Sequence, residues 1–213
     1  RKNNMKKTLF FFALTMLLLS ATKLQAQLGF HAGYAPQTFA ISGQTIDGTT
    51  TLPKLSHGFY GGIHYHRAIA DKFGFTAALQ IRLNSVTVNE TDFSTQDSQF
   101  LMDLPLLLNY GFSLGHNLTL GAFAGPMLSY GISYTYKITD AETYEVEATY
   151  NRYSTTESAY ALRRFEVAAA GGLFFKFRSY MLYGGYRIGL NDLDIISGCA
   201  TRPKGFFVGL SIN

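Results

Sequence analysis

The chain has 213 residues, of which 47% are hydrophobic, 15% aromatic and 15% charged, and it contains one cysteine. This length and apolar content suffice for a folded domain, whereas the lone Cys199 excludes an internal disulfide framework. The formal net charge of +4 favours a nucleic-acid partner only if the basic residues lie in the folded part of the chain.

The start of the chain has the three parts of a secretory signal peptide. Two lysines follow Met5, an apolar run extends from Leu9 to Leu19, and a polar stretch ends at Ala26. The apolar run is shorter than the roughly 20 residues that a membrane-spanning helix requires. We therefore expect residues 1–26 to be a cleavable signal peptide.

Cleavage after Ala26 changes the charge of the mature protein, and a cut near Ala21 is the alternative. Five of the 18 Lys and Arg residues and none of the 14 Asp and Glu residues precede Ala26, so the formal charge falls from +4 to −1. A nucleic-acid function then has no basis. We interpret residues 1–4 as an upstream remnant and residues 27–213 as one outer-membrane β-barrel domain.

Alternation of apolar with small or polar residues predicts strands throughout the mature chain. The predicted strands are 28–39, 57–68, 73–84, 99–111, 118–134, 163–177, 180–191 and 205–213. Short connections alternate with long ones, the long ones being 41–56, 85–98, 135–162 and 192–204. Tight turns at one end and long loops at the other are typical of an outer-membrane barrel.

The two faces of these strands differ in a way that distinguishes a membrane barrel from a soluble one. In the last strand, "GFFVGLSIN", bulky apolar residues share one face: Phe206, Val208, Leu210 and Ile212. A soluble eight-stranded barrel would turn such a face inward. Charges here occupy the other face, and a lipid-facing basic residue would cost about 2–4 kcal/mol at the bilayer centre. The sequence predicts an all-β, eight-stranded antiparallel up-and-down transmembrane β-barrel.

Four stretches resemble the small outer-membrane β-barrel domain proteins often labelled porin family. They are "LGFHAGY", "GFYGGIHYHRAIADKFGFTAALQIRLNS", "FLMDLPLLLNYGF" and "LGAFAGPMLSYGISY". The most specific pattern is Asp103, an apolar residue, Pro105 and then three leucines. The resemblance implies an eight-stranded barrel in the outer membrane of a Gram-negative bacterium, without a defined activity for most members. The chain departs from many such barrels by ending on Asn213 instead of an aromatic residue.

Charged residues on the inward face predict a network inside the barrel. Counting from the tight turns places Arg82, Asp103 and Glu166 at about the same height, and Arg187 belongs to the same set. Buried charges are tolerable only when each has a partner. We expect this network to plug the lumen, because small barrels are usually filled by side chains. A selectivity constriction or a proton-linked gate is the alternative.

Three histidines on the inward face form a second candidate site. His31, His64 and His66 lie on neighbouring predicted strands, and three imidazoles suit zinc or copper. The alternative is that they are polar filler beside Tyr60 and Gln80. Because their spacing matches no strict metal motif, we assign neither a metal nor a cofactor.

The third long connection predicts a hairpin above the membrane. Tyr130, Ile132, Tyr134 and Tyr136 alternate, and Tyr144 and Tyr150 alternate again further on. Some of these tyrosines fit the interfacial aromatic girdle. The candidate contact residues for another protein or surface are Tyr134, Tyr136, Tyr144 and Tyr150.

The expected function is non-enzymatic, with a structural or surface-interaction role through the long extracellular loops. A narrow porin-like channel is the alternative, and a lipid-modifying enzyme at the barrel rim is a remote third, with Ser56 and His57 as the loose candidate pair. We assign no catalytic residue. The expected partners are outer-membrane lipid and lipopolysaccharide, together with a protein or surface at loop 3, and the expected state is a monomer. The acidic second connection, with Glu90, Asp92 and Asp97, either holds divalent ions that bridge lipopolysaccharide or is solvated.

Overall fold

The computed structural model describes residues 26–42, 55–89, 92–115, 117–140, 142–143, 145–156, 161–195 and 200–213. Residues 1–25, which contain almost all of the predicted signal peptide, lie outside these ranges, so the boundary at Ala26 stays a prediction. Within the described ranges, no helix has the length and apolar character needed to cross a bilayer.

The described residues form one antiparallel sheet that closes on itself. Its strands are β1 (Ala26–Tyr34), β2 (Thr38–Ser42), β3 (His57–Ala68), β4 (Phe73–Asn89), β5 (Phe93–Gly115), β6 (Leu118–Asp140), β7 (Val146–Asn151), β8 (Phe165–Phe177), β9 (Tyr180–Gly189) and β10 (Ala200–Ile212). The wall follows the order β1-β3-β4-β5-β6-β8-β9-β10, and β10 pairs with β1 to close it. The predicted eight-stranded up-and-down barrel is confirmed.

Two of these strands lie outside the plain order of the wall. β2 continues the line of β1 and pairs with the extracellular half of β10, while β7 pairs with β6. Closure leaves the wall without a free edge. A free edge in the hydrocarbon would be costly, because its unpaired backbone groups would have no hydrogen-bond partner there.

Side chains alternate between the two faces as the sequence predicts. On β10, the bulky apolar residues of the outer face are exposed on the barrel surface, whereas Phe207 and Ser211 are buried inside. Adjacent strands continue the same outer face, as shown by Leu182, Tyr186 and Ile188 on β9. This contiguous apolar surface is the lipid-facing band of the barrel.

Two predicted connections and one predicted strand differ in the structure. β10 begins at Ala200, inside the predicted connection 192–204. Residues 85–98 were expected to be a loop, but β4 extends to Asn89 and β5 begins at Phe93. The expected single strand 28–39 is interrupted between Tyr34 and Thr38, because Pro36 has no N–H to donate.

The ends of four strands form a sheet above the lipid-facing band, which we call the blade: residues 85–89 of β4, 93–99 of β5, 133–140 of β6, and β7. β5 and β6 each have 23 residues, whereas roughly 9–11 suffice to span a bilayer. The register continues the outer face of the wall into polar rows, such as Ser85, Ser98 and Thr135. A polar outer face indicates that the blade stands in water on the loop side.

Candidate functional site

A layer of buried charge crosses the barrel interior, and we call it the belt: Arg82, Asp103, Glu166 and Arg187. Each of these side chains is at most 3% exposed. Arg82 donates two hydrogen bonds to Asp103, from Nε to Oδ2 at 2.8 Å and from Nη2 to Oδ1 at 3.1 Å. This bidentate geometry is the strong form of the interaction, because the planar guanidinium matches the carboxylate. Gln80 Nε2 donates a third bond to Asp103 Oδ2 at 3.1 Å.

The second pair of the belt is more loosely joined and depends on a residue that was not among those predicted for the network. Arg187 Nη1 lies 3.4 Å from Glu166 Oε1. Between the two arginines lies Gln37, which is 1% exposed. Its Oε1 accepts hydrogen bonds from Arg82 Nη1 at 2.5 Å, from Asn84 Nδ2 at 3.2 Å and from Arg187 Nη2. A single amide oxygen therefore joins both ion pairs.

Gln37 reaches the belt because it continues the inward face of β1, on which His31 and Ala35 are also buried. Its backbone forms a two-way bridge with Ser56, with N···O distances of 2.9 and 2.8 Å. Two glycines leave space for this segment, since a Cβ on Gly58 would collide with the Ala35 carbonyl and one on Gly205 with the Pro36 carbonyl. Alternation along the predicted strand 28–39 was the available signal, because it places Gln37 on the same inward face as His31.

A ladder of hydrogen bonds continues from the belt to the rim of the barrel. Asn84 Nδ2 donates to Gln99 Oε1 at 3.2 Å, and Gln99 Nε2 donates to the Tyr153 hydroxyl at 3.1 Å. Asn84 and Gln99 are buried, and Leu101 beside them is 2% exposed. The interior is therefore packed with side chains over several layers on the loop side of the belt.

The three predicted histidines lie in the barrel interior but take separate partners. His31 Nε2 pairs with Gln80 Oε1 at 2.9 Å, His66 Nδ1 pairs with Thr76 Oγ1 at 3.0 Å, and His64 Nε2 pairs with Asn213 Oδ1. Among the described residues, no group of three or more His, Cys, Asp or Glu side chains has a geometry that suits a metal ion. Each of the three rings therefore has a hydrogen-bond partner of its own.

The loose catalytic candidates point in different directions, because neighbouring residues of a strand face opposite sides. Ser56 is buried and donates from Oγ to the Gln37 carbonyl at 2.9 Å. His57 is exposed, and its Nδ1 lies 2.5 Å from the Tyr34 hydroxyl. They do not form a nucleophile and base pair.

The tyrosines of the third connection do not share one face, contrary to the prediction. The β5–β6 register skips Ile132, pairing Phe100 with Ser133 and Leu101 with Gly131. Such a β-bulge reverses the side on which later residues lie. Tyr130 therefore faces outward, 46% exposed, whereas Tyr134 is buried at the mouth of the barrel, 8% exposed.

An aromatic and cationic cluster forms on the inner face of the blade. Arg152 Cζ lies 4.5 Å from the ring centre of Tyr136, and the rings of Tyr136 and Tyr150 are 6.4 Å apart. Cation–π contacts of this kind contribute about 0.5–1 kcal/mol at exposed sites. The remaining predicted contact residue, Tyr144, lies outside the described residues.

Charged partners hold the base of this cluster in place. Arg152 Nε lies 3.9 Å from Asp97 Oδ1, so this carboxylate of the second connection is engaged within the protein. Arg164 donates from Nη1 to the carbonyls of Gly131 and Ile132 at the bulge and lies over the Tyr153 ring at 4.8 Å. Burial raises the pKa of the Tyr153 phenol. Glu90, also of the second connection, lies outside the described residues.

A closed barrel with an apolar outer face, a charged interior and a polar extension on one side defines an outer-membrane β-barrel protein. The sequence model of the family described as outer membrane protein beta-barrel domain matches residues 20–194. The chain belongs to this family, which locates it in the outer membrane. β10 follows the matched residues and closes the wall. No curated protein matches the chain.

The solved structures that resemble this chain share little sequence with it. Ail, the attachment invasion locus protein of Yersinia pestis, is 13% identical with a TM-score of 0.45 over 87% of this chain and 96% of that chain. Ail in complex with the heparin analogue sucrose octasulfate is 12% identical with a TM-score of 0.47, covering 89% and 99%. Neisserial surface protein A (NspA) is 13% identical with a TM-score of 0.46, covering 88% and 97%. We draw no functional conclusion from these likenesses.

Proposed function

We propose that the protein is a non-enzymatic, monomeric surface-contact protein, and that its blade binds an extended basic polypeptide by strand addition. The barrel anchors the blade through its lipid-facing band. The observation that carries the proposal is the outer edge of β7. Among the described strands, none pairs with that edge, because β7 pairs with β6 alone.

The hydrogen-bond pattern of β7 identifies which backbone groups are available. Arg152 N donates to the Tyr134 carbonyl at 2.9 Å, and the register places Tyr150 opposite Tyr136. In an antiparallel ladder, alternate residues direct their N–H toward the partner strand. The N–H of Thr149 therefore points away from β6, toward the free edge, where an added strand would accept from it.

The charge of this edge favours a basic partner. Glu145 and Glu147 are exposed on β7 or directly before it, and Glu142 is exposed at the hairpin tip. Cross-strand pairs of opposite charge stabilise an added strand, whereas like charges oppose it. The tyrosines of the inner face add contact area at modest entropic cost.

The belt supports a closed lumen in preference to the narrow-channel alternative. Its four charges are paired, joined by one amide and continued by packed side chains toward the rim. Ions that cross the barrel would have to break these contacts, at the desolvation cost that buried ion pairs carry.

The test uses the refolded barrel in nanodiscs and an array of extended lysine-containing peptides. Each peptide is also presented with N-methylated backbone amides as the matched non-pairing form. Thr149→Pro removes the outward N–H while leaving the ladder to β6 intact, and Thr149→Val changes the side chain but keeps the N–H.

We expect peptides to bind the wild type and Thr149→Val, and to lose binding when they are N-methylated or when Thr149→Pro is used. Binding that is equal for N-methylated and unmodified peptides would contradict strand addition. Absence of binding across the array would contradict the proposal as well.

A further inference from the structure

The turn end of the barrel interior contains two adjacent cavities between the β3–β4 turn and the belt. The outer one, which we call the vestibule, has a volume of about 380 Å³ and opens beside the β3–β4 turn at Asp71 and Lys72. The inner cavity, of about 80 Å³, lies between the vestibule and the belt. Both are lined by Thr76, Asn109 and Phe174.

The vestibule contains a cation that forms no ion pair with an acidic side chain of the described residues. Lys176 is half-buried on the inward face of β8, and its Nζ donates to Gln27 Oε1 at 3.3 Å, a neutral acceptor. The ion pairs formed by the described residues are Arg82–Asp103, Arg152–Asp97 and Arg187–Glu166, so none involves Lys176. A lysine held inside a barrel without a carboxylate is suited to an anionic ligand.

A histidine adds a second donor to the same cavity. Asn109 Nδ2 donates to Thr76 Oγ1 at 2.8 Å, so the Thr76 hydroxyl proton is free for His66 Nδ1, which lies 3.0 Å away. When the Thr76 hydroxyl donates to Nδ1, a neutral His66 ring carries its own proton on Nε2. Gly74 leaves the space for this ring, since a Cβ there would approach Cε1 and Nε2 of His66 closely.

The inner cavity differs from the vestibule in being mainly apolar. Its apolar walls include Ala78, Leu107, Phe123 and Phe174, and belt residues Arg82, Asp103 and Arg187 line its far end. Its volume of about 80 Å³ is smaller than the roughly 150 Å³ of an engineered cavity that accepts benzene. The space therefore suits a short aliphatic chain better than a ring.

We propose that the two cavities together bind a short aliphatic monocarboxylate. Its carboxylate pairs with Lys176 and accepts from His66 Nε2, and its chain enters the inner cavity past Phe174. The tight turns of an outer-membrane barrel face the periplasm, so the ligand enters from that side. Because the belt closes the interior beyond the inner cavity, the ligand leaves by the same opening.

The experiment is an NMR titration of the barrel refolded in dodecyl maltoside, an uncharged detergent. Acetate, butyrate and hexanoate are added in turn, and amide shifts of Thr76, Asn109 and Lys176 are followed. We expect saturable shifts, with affinity rising roughly fourfold per methylene up to butyrate. Hexanoate should give little further gain because the cavity is filled, and butylamine, a cation of similar chain length, should not bind.

Three variants separate the carboxylate site from the chain site. Lys176→Gln should weaken butyrate binding at least tenfold, whereas Lys137→Gln removes the same charge from the blade and should leave it unchanged. Ala78→Leu fills the inner cavity, so it should abolish the chain-length gain and retain acetate binding. The heat-dependent gel shift of a closed barrel checks the folding of each variant.

Several results would overturn the proposal. These are shifts that fail to saturate in the wild type, equal binding by Lys176→Gln and Lys137→Gln, or affinities that do not depend on chain length. If Ala78→Leu fails to fold, the chain-length series on the wild type and on Lys176→Gln decides the matter without it.

Discussion

Two arginine–aspartate pairs in this barrel have the same chemistry and different surroundings. In the belt, Arg82 and Asp103 are 1% and 0% exposed, and their shortest contact is 2.8 Å. On the blade, Arg152 and Asp97 are 19% and 27% exposed, and their contact is 3.9 Å. The buried pair must remain intact because a lone charge in the interior is costly, whereas water can replace either partner on the blade. We therefore expect the belt to act as a fixed structural layer and the blade to act as a surface that can adapt to a partner.

Breaking the buried pair should have the largest effect. Asp103→Asn leaves Arg82 without its anionic partner, and we expect a loss of about 3–5 kcal/mol in the free energy of unfolding. Urea titration of the barrel in lipid vesicles measures it. The matched variant Asp97→Asn should cost less than about 1 kcal/mol. Equal losses in the two variants would remove the distinction between belt and blade.

Removing the amide that joins the two belt pairs should have an intermediate effect. Gln37→Ala deprives Arg82, Asn84 and Arg187 of a shared acceptor, and leaving such donors unsatisfied costs about 1–3 kcal/mol. The same urea titration serves, with the exposed Gln96→Ala as control. A Gln37→Ala barrel as stable as the control would show that Gln37 does not connect the belt.

Loss of the cation over Tyr136 should have a smaller and local effect. Arg152→Gln removes a contact worth about 0.5–1 kcal/mol, and we expect faster amide hydrogen exchange in β7 alone. Protection of β8 and β9 should be unchanged. If exchange accelerates throughout the wall, Arg152 supports the barrel as a whole and the blade is not an independent surface.

The smallest expected effect is on the tip of the blade at low pH. Asp140 Oδ1 accepts from the backbone N–H groups of Thr143 and Glu142 at 2.7 and 2.8 Å. These bonds, with that from Thr143 Oγ1, lower the pKa of the Asp140 carboxyl from its usual 3.8. Because the pKa is lower in the folded state, the carboxylate stabilises the tip at pH values above the pKa of the unfolded state. This contribution is lost as the pH falls through the pKa of the folded state. The chemical shift of the Thr143 amide should change with a midpoint below pH 3.8. The Asp140→Asn variant should lack this transition. A midpoint above pH 3.8 would contradict the lowered pKa.

The wall of the barrel was predictable because lipid and lumen impose opposite preferences on alternate residues. On β4, Leu79, Ile81 and Leu83 were assigned to one face and are exposed there, while Arg82 on the other face is buried. Where water lies on both sides of the sheet, this contrast disappears. The polar rows of Ser85 and Ser98 therefore gave the appearance of a loop although they form a paired ladder.

The geometry of the belt and of the rim depends on contacts that no local pattern specifies. Gln37 meets Arg187 across 150 positions of sequence, and only closure of the barrel brings them together. The β-bulge at Ile132 reverses the side on which Tyr134 lies. Alternation in the sequence does not indicate where such a bulge occurs. Residue types predicted which side chains are polar and interior, and the pairing register determined their partners.

Single-channel recording in a planar bilayer tests most directly the claim that the belt seals the lumen and that function lies on the blade. Residues 27–213 are refolded in detergent, checked for the heat-dependent gel shift and inserted into the bilayer. We predict no conductance steps from the wild type. Regular steps that change when Arg82 or Glu166 is neutralised would show an open lumen and contradict the account.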